Sequence, residues 1–340
     1  MNAFTRATDA ISSVLPFRSA KAKPNRAEDA LVPEVSVSSD EARGEGTRIS
    51  PLAVIEDGAQ IGDDCEIGPW CVVGSDVVLG PGNKLLSHVV ITGRTVVGRD
   101  NVFHPFCVIG DTPQDYKFRG ERTGVQIGSR NLIREHVTVH AGTEYGGRVN
   151  GGGITRVGDD NMLMVNAHVG HDVQMANRCT IANNVMLAGH IVLGNSVWLN
   201  GAVGVNPFVT LHDFSYAAAY SQIHHDVPPF MKVSGCDEVR ELNSIGLQRS
   251  GKFSAHDVEI LEMAARHLFG RKKPRSVAIE ELERAAMASS NGSPAAAVST
   301  NGDSIDLGEL ARNAHVRRLV EALKQRDLGK HGRFLESLRK

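Results

Sequence analysis

Residues 61–80 read IGDDCEIGPWCVVGSDVVLG, with Ile61, Ile67, Val73 and Leu79 at every sixth position and Gly62, Gly68, Gly74 and Gly80 directly after them. The same phase runs back to Ile49 and Ile55 and forward through Leu85, Ile91, Val97, Phe103 and Ile109. A second phase holds Ile127, Ile133 and Val139. A third runs from Val157 through Leu163, Val169, Met175, Ile181, Leu187, Leu193, Leu199 and Val205 to Leu211. A helix turns about 100° per residue, so it cannot put every sixth side chain on one face. A period of six sustained over this length specifies a hexapeptide β-helix.

The cysteines fall into this register. Cys65, Cys71, Cys107 and Cys179 each lie two residues before an apolar repeat position, an offset shared by Ala53, Ala59, Thr95, Thr155, Ala167, Val173, Val185 and Val197. Alternate side chains of a strand share a face, so this offset also points inward and demands small residues. The cysteines read as reduced packing groups. With no C-x-x-C pair, no metal is expected on them.

Two interruptions break the hexads, at 110–126 and 140–156, and loops ejected from a rigid coil are where such a fold carries function. The β-helix is expected over 47–235. Beyond it the spacing changes to 3.6. Val258, Leu261, Ala265, Leu268 and Phe269 form a helical stripe started by Ser254 and Asp257, giving a helical domain over 236–286. Residues 287–308 read as a flexible linker. Val316, Leu319, Val320 and Leu323 mark a basic terminal helix over 309–340, where nine Lys/Arg face four Asp/Glu. Residues 1–46 read as a disordered tail. Arg6, Arg18, Lys21 and Lys23 against Asp9 leave organelle import through residues 1–45 as the alternative to a cytoplasmic protein.

Composition excludes other classes. The net charge of −2 gives no reason to expect nucleic acid, and no run of 18 apolar residues predicts a membrane span. Glycine at 35 residues and aromatics at 5% suit a regular coil of small residues.

The segments IGPWCVVG, LSHVVITGRTVVGRDN, TPQDYKFRGERTGVQIGSRNLIREHVTVHAGT, GDDNMLMVNAHVGHD, NRCTIANNVMLAGHIVLG and DVPPFMKVSG occur in this order from about residue 47 to about residue 250. On them the chain resembles the UDP-N-acetylglucosamine acyltransferase family of lipid A biosynthesis, among the hexapeptide-repeat acyltransferases. The resemblance implies an all-β, left-handed parallel β-helix with three hexads per coil, followed by a small α-helical domain. It also implies a homotrimer with active sites between subunits. It implies transfer of a (3-hydroxy)acyl group from acyl carrier protein to the 3-hydroxyl of UDP-GlcNAc. No cofactor is expected, because the phosphopantetheine thioester arrives as substrate.

The chemistry can be argued beside the resemblance. An alcohol attacking a thioester needs a base, and neutral imidazole suits neutral pH. His171, two residues past the inward Val169, should leave the core, with Asp172 beside it to fix its tautomer. At 18 residues per coil His171 lies over Gly189 and Asp172 over His190. The Gly189 N–H could then serve a developing oxyanion, at roughly 3 kcal/mol per donor. The resemblance assigns the same roles, with His168 and His190 as substrate contacts. In QDYK it places Gln114 and Asp115 at the sugar and Lys117 at the diphosphate. Asn243 and Arg249 fall at the nucleotide, and Ala219 near the end of the acyl groove.

Rival readings stand beside these. Asp115 and Lys117 could be an exposed loop pair, and His88, His104, His136 and His140 read as structural or rim residues. Arg271, Lys272, Lys273 and Arg275 are either a solvated charge run or a carrier-docking patch. The sequence departs from the family at Val205-Asn206-Pro207-Phe208, where V-H-Q-F is usual, and at Ile245, where a glutamate is usual. These changes leave open acylation of another UDP-amino sugar, including a 3-amino group. A zinc hydratase of the carbonic anhydrase type, with His168, His171 and His190 as ligands, and a non-catalytic scaffold are the remaining alternatives.

Overall fold

The computed structural model describes residues 45–144, 153–270, 273–290, 297–300 and 303–338. Almost the whole of the 1–46 tail, with its import reading, lies outside them.

From Arg48 to Ser234 the chain is a left-handed parallel β-helix of three faces, built from very short strands. The first coil shows the scheme: Arg48–Ile49 starts the first face, Val54–Ile55 the second and Gln60–Ile61 the third. These faces grow into sheets of eleven, nine and eight strands. Partners such as Val169 and Leu187, or Ile181 and Leu199, stand one coil apart in register. Hexad residues point inward because each strand contributes one side chain to the core and the next to the surface. Phe103, Ile109, Ile133, Leu163, Val169, Ile181 and Leu187 are fully buried. The preceding inward offset is filled by Cys65, Cys71, Cys107, Cys179, Ala167 and Val185, all buried.

Corners turn through residues with positive φ. Asp64, Trp70, His88, Asp100, Arg130, Asn166, Asp172 and His190 all lie between +52° and +63°, a left-handed conformation that non-glycine residues adopt at some cost. One corner column carries a buried polar ladder. Asn101 Nδ2 donates to Asn83 Oδ1 at 2.9 Å and Asn131 Nδ2 to Asn101 Oδ1 at 2.9 Å, while the Asn161 N–H donates to Asn131 Oδ1. Repetition satisfies buried amides that singly would be costly, as far as Asn161, whose Nδ2 makes no hydrogen bond among the described residues.

The two ejected loops lengthen the coil. Ile109 pairs with Val139 and Val139 with Val169, thirty residues apart in place of eighteen. Both loops are shorter than expected, because the flanking strands Val108–Asp111, Gly124–Ile127 and Ile154–Val157 run past the hexads. Both leave at the corner between the second and third faces.

The boundary at 235 also moves. Glu238–Leu242 folds back antiparallel on Met231–Ser234, pairing Met231 with Leu242. Helices follow at Ser244–Arg249 (α1), Ala255–Phe269 (α2), Arg275–Ser290 (α3), Leu307–Arg312 (α4), Ala314–Leu328 (α5) and Phe334–Ser337 (α6). The Ser254–Asp257 capping box starts α2, as read from the sequence. Val258, Leu261, Leu268, Val316, Leu319 and Leu323 meet in one core with Phe230 and Met231. Residues 287–308 are not one open linker. α3 runs to Ser290, and Ala297–Thr300 pairs antiparallel with Asp303–Asp306. Backbone pairing here outweighs a composition rich in Ser, Asn and Gly. The expected terminal helix is three helices, because Asn313 ends α4 and caps α5, and Gly329 ends α5. Among the described residues no helix is long and apolar enough to cross a membrane.

Candidate active site

The register places His171 where the sequence put it. Strand His168–Val169 on the second face pairs with Met186–Leu187, and the chain then turns through Gly170, His171 and Asp172. The His190 N–H donates to the His171 carbonyl at 3.0 Å, fixing the one-coil stack. The imidazole covers Gly189: a β-carbon there would stand 2.5 Å from Nε2 and 2.9 Å from Nδ1. Glycine is therefore dictated by the ring above it. The neighbouring turn N–H groups of Asp159, Asn177 and Asn195 donate to Asn177, Asn195 and Asp213 side chains one coil on. The residue one coil beyond Gly189 is Pro207, which offers no such acceptor.

Asp172 departs from the expectation that it projects with His171. Its φ of +61° turns it inward at the corner, and it is fully buried. Its Oδ2 lies 2.8 Å from His171 Nδ1. The carboxylate also accepts the Thr143 N–H at 3.0 Å and the Thr143 hydroxyl at 2.7 Å. The Asp172 N–H donates to Thr155 Oγ1 at 2.8 Å. Asp172 thus orients the ring with its tautomer set, the proton on Nδ1 and the lone pair on Nε2.

Thr143 and Thr155 were missed. Thr143 ends the matched HAGT element without a role, and Thr155 was counted only as a small inward residue. Carrying the register from the Val139–Val169 pair across the second loop brings Gly142 beside Asp172. A β-carbon on Gly142 would lie 2.7 Å from Asp172 Oδ1.

His190 stacks on Phe208 at 4.5 Å and meets His171 edge-on at 5.0 Å. His168 Nδ1 lies 2.7 Å from Thr138 Oγ1, and its ring meets His140 edge-on at 5.0 Å. Burial, reinforced by His140 and His171, lowers the His168 pKa to about 4, so His168 is neutral near pH 7. Burial also lowers His140. His140, read earlier as structural or rim, belongs to this cluster. His88 and His136 do not: they join Trp70 and Phe106 in a stack along the corner between the first and second faces.

Other expected residues lie elsewhere. Gln114 and Lys117 are exposed on the first loop, two strand spacings from His171, and Asp115 Oδ1 accepts the Lys117 N–H at 2.9 Å. Asn243 is not open to a nucleotide within one chain. It is buried as the N-cap of α1, accepting from Gly246 N–H and donating to the Phe214 carbonyl at 3.0 Å. Arg249 is exposed at the end of α1. Ala219 is exposed on the corner between the first and second faces, away from the His171 corner. The basic run is largely engaged: Lys273 pairs with Glu281 and Arg275 with Asp327, while Arg271 and Lys272 lie outside the described residues. The zinc reading loses its ligand set, because His171, Asp172 and His190 group together without His168.

A family model described as Udp N-acetylglucosamine O-acyltransferase, Domain 2, matches residues 226–329. The bacterial transferase hexapeptide model matches 44–75 and 154–189. The acyl-[acyl-carrier-protein]–UDP-N-acetylglucosamine O-acyltransferase of Paraburkholderia phymatum is 44% identical over 247 residues, 72% of this chain and 92% of that protein. The chain belongs to the UDP-N-acetylglucosamine O-acyltransferase family. Solved acyltransferases of this family share the fold. The Moraxella catarrhalis structure is 38% identical with a TM-score of 0.65, covering 72% of this chain and 93% of that one. The UDP-N-acetylglucosamine acyltransferase of Bacteroides fragilis is 29% identical with a TM-score of 0.69, covering 82% and 97%. The chain is an acyltransferase by this membership, and the resemblance read from QDYK, NAHVGHD and LAGH holds.

Proposed function

We propose that the chain transfers a (3-hydroxy)acyl group from the phosphopantetheine thioester of acyl carrier protein to the 3-hydroxyl of UDP-GlcNAc, the first step of lipid A biosynthesis. The observation that carries this reading is the His171 ring, held by buried Asp172 and laid over Gly189. His171 Nε2 takes the hydroxyl proton as the sugar oxygen attacks the thioester carbonyl. The carbonyl becomes a tetrahedral oxyanion that accepts the Gly189 N–H. Collapse breaks the C–S bond, and the departing thiolate takes the proton back from His171. A pre-oriented base contributes about 10²–10⁴-fold and one oxyanion donor roughly 3 kcal/mol.

His168 and His190 line the approach to His171 as substrate contacts, and Gln114, Asp115 and Lys117 bind the sugar and diphosphate. Since Asn243 is committed to its own helix and Ala219 lies on another corner, a nucleotide or acyl site using these regions needs a second subunit. This supports the homotrimer. Arg249 is then a phosphate contact. No resident cofactor or metal is required, and the reaction belongs in the cytoplasm, where acyl carrier protein is available.

Asn206 and Pro207, one coil beyond the Ala188–Gly189 step, favour one second reading: a UDP-amino sugar acylated on a 3-amino group. Mass spectrometry of products from acyl carrier thioesters and a panel of UDP-sugars tests both. A 3-O-acyl product from UDP-GlcNAc is expected. Acylation of the 3-amino analogue alone would replace the first reading with the second.

A further inference from the structure

The corner that carries His171 recurs three coils on, where the residues are His224, His225 and Asp226, and a second polar cluster is built there. The turn Gly235–Cys236–Asp237, with positive φ at Gly235 and Asp237, lies against it. Asp237 Oδ1 accepts the backbone N–H groups of His224 at 2.7 Å and His225 at 3.1 Å. This fixes the carboxylate so that Oδ2 faces both rings, 3.0 Å from His224 Nδ1 and 3.1 Å from His225 Nδ1. Cys236 Sγ lies 3.6 Å from His224 Nδ1 and 3.8 Å from Asp237 Oδ2. His225 Nδ1 is buried and makes no hydrogen bond of acceptable geometry among the described residues.

We propose that His224 Nδ1, Cys236 Sγ and Asp237 Oδ2 bind a divalent transition-metal ion of the zinc type, with His225 bracing the carboxylate. Zinc takes imidazole nitrogen, thiolate sulfur and carboxylate oxygen at about 2.0–2.3 Å. At the tetrahedral angle such bonds separate the donor atoms by roughly 3.3–3.6 Å. The three edges here, 3.0, 3.6 and 3.8 Å, lie within about 0.3 Å of that range. A mixed N, S and O set with one thiolate favours zinc or cobalt over magnesium or calcium.

The surroundings fit a structural staple. Cys236 is exposed, leaving a path for the ion. The C-terminal segment closes on the same corner: the Phe334 N–H donates to Asp226 Oδ2 at 2.8 Å, and Arg333 Nη1 donates to the His224 carbonyl at 3.0 Å. Arg333 is balanced by Glu336, and half-buried Arg326 lies within electrostatic reach of Asp237, Asp327 and Asp226. An ion here would tie the last coil to the turn that leaves it and to the C-terminus.

The test is cobalt(II) titration of full-length protein, stripped with chelator and held in a phosphine reductant. One equivalent of Co²⁺ should bring up a thiolate charge-transfer band and tetrahedral visible bands, both displaced by Zn²⁺. Cys236→Ser should abolish the charge-transfer band while acyl transfer continues. His225→Ala should weaken affinity about tenfold, as loss of a bracing group does. His171→Ala should bind cobalt as the wild type does. Absence of the band, its persistence in Cys236→Ser, or its loss in His171→Ala would overturn the proposal, the last by moving the ion to the active site.

Discussion

The His171 imidazole lies over Gly189, one coil away, so close that a β-carbon there would stand 2.5 Å from Nε2. His171 and Gly189, the base and oxyanion donor of the proposed mechanism, are therefore one unit, set by coil spacing and by the absence of a side chain.

Gly189→Ala should displace the His171 ring while the β-helix stays folded. Turnover should fall by about 10²–10⁴-fold, the contribution of a positioned base, with circular dichroism unchanged. Turnover within threefold of wild type would contradict the contact.

Thr143 acts through Asp172. Thr143→Val removes the hydroxyl donor at 2.7 Å but keeps the side-chain shape and the N–H at 3.0 Å. Loss of one hydrogen bond to a charged group is worth roughly 1.5–3 kcal/mol, so kcat should fall about tenfold or more with KM little changed. Thr143→Ser should restore most of it. Equal losses in both variants would make the role one of packing.

How much of this was legible depends on distance along the chain. The six-residue period exposed the core, because it repeats locally, while the count of three faces, and with it the stack of His171 on Gly189, came from the family resemblance. The inward turn of Asp172 was hidden, since it depends on a positive φ and on Thr143, which reaches it across an ejected loop that breaks the register. The capping role of Asn243 was hidden for a similar reason. Its motif resembles a nucleotide contact, but the helix start it caps became visible only with α1 in place. The Asn83–Asn101–Asn131–Asn161 ladder sits at the cysteine offset and could have been found there.

That ladder should resist interruption. Asn131→Ala strips the buried Asn161 N–H of its partner and leaves Asn101 Oδ1 only the Asn131 backbone N–H. Unsatisfied buried groups cost about 1–3 kcal/mol each. The denaturant midpoint should drop by a corresponding amount with the slope unchanged, and an unaltered midpoint would show the ladder to be dispensable.

Acidification should destabilise the fold. Burial lowers His168 and His212 to about 4, below the unfolded value near 6.5. Between those values the unfolded chain takes up the protons, so their contribution is present above about pH 6.5 and lost as pH falls toward 4. Asp226 opposes them: burial raises it to about 6, so the folded state takes up its proton first. The two histidines outweigh the one carboxyl, leaving a loss of roughly 2 kcal/mol between pH 7 and pH 5. Denaturant melts at the two pH values check this, and a higher midpoint at pH 5 would reverse the sign.

The central claim rests on His171. Single-turnover assays of wild type and His171→Ala with (3-hydroxy)acyl carrier protein and UDP-GlcNAc measure the acyl-transfer step itself. The account predicts a loss of about 10²–10⁴-fold in the rate with UDP-GlcNAc binding retained. Undiminished transfer by His171→Ala would contradict it.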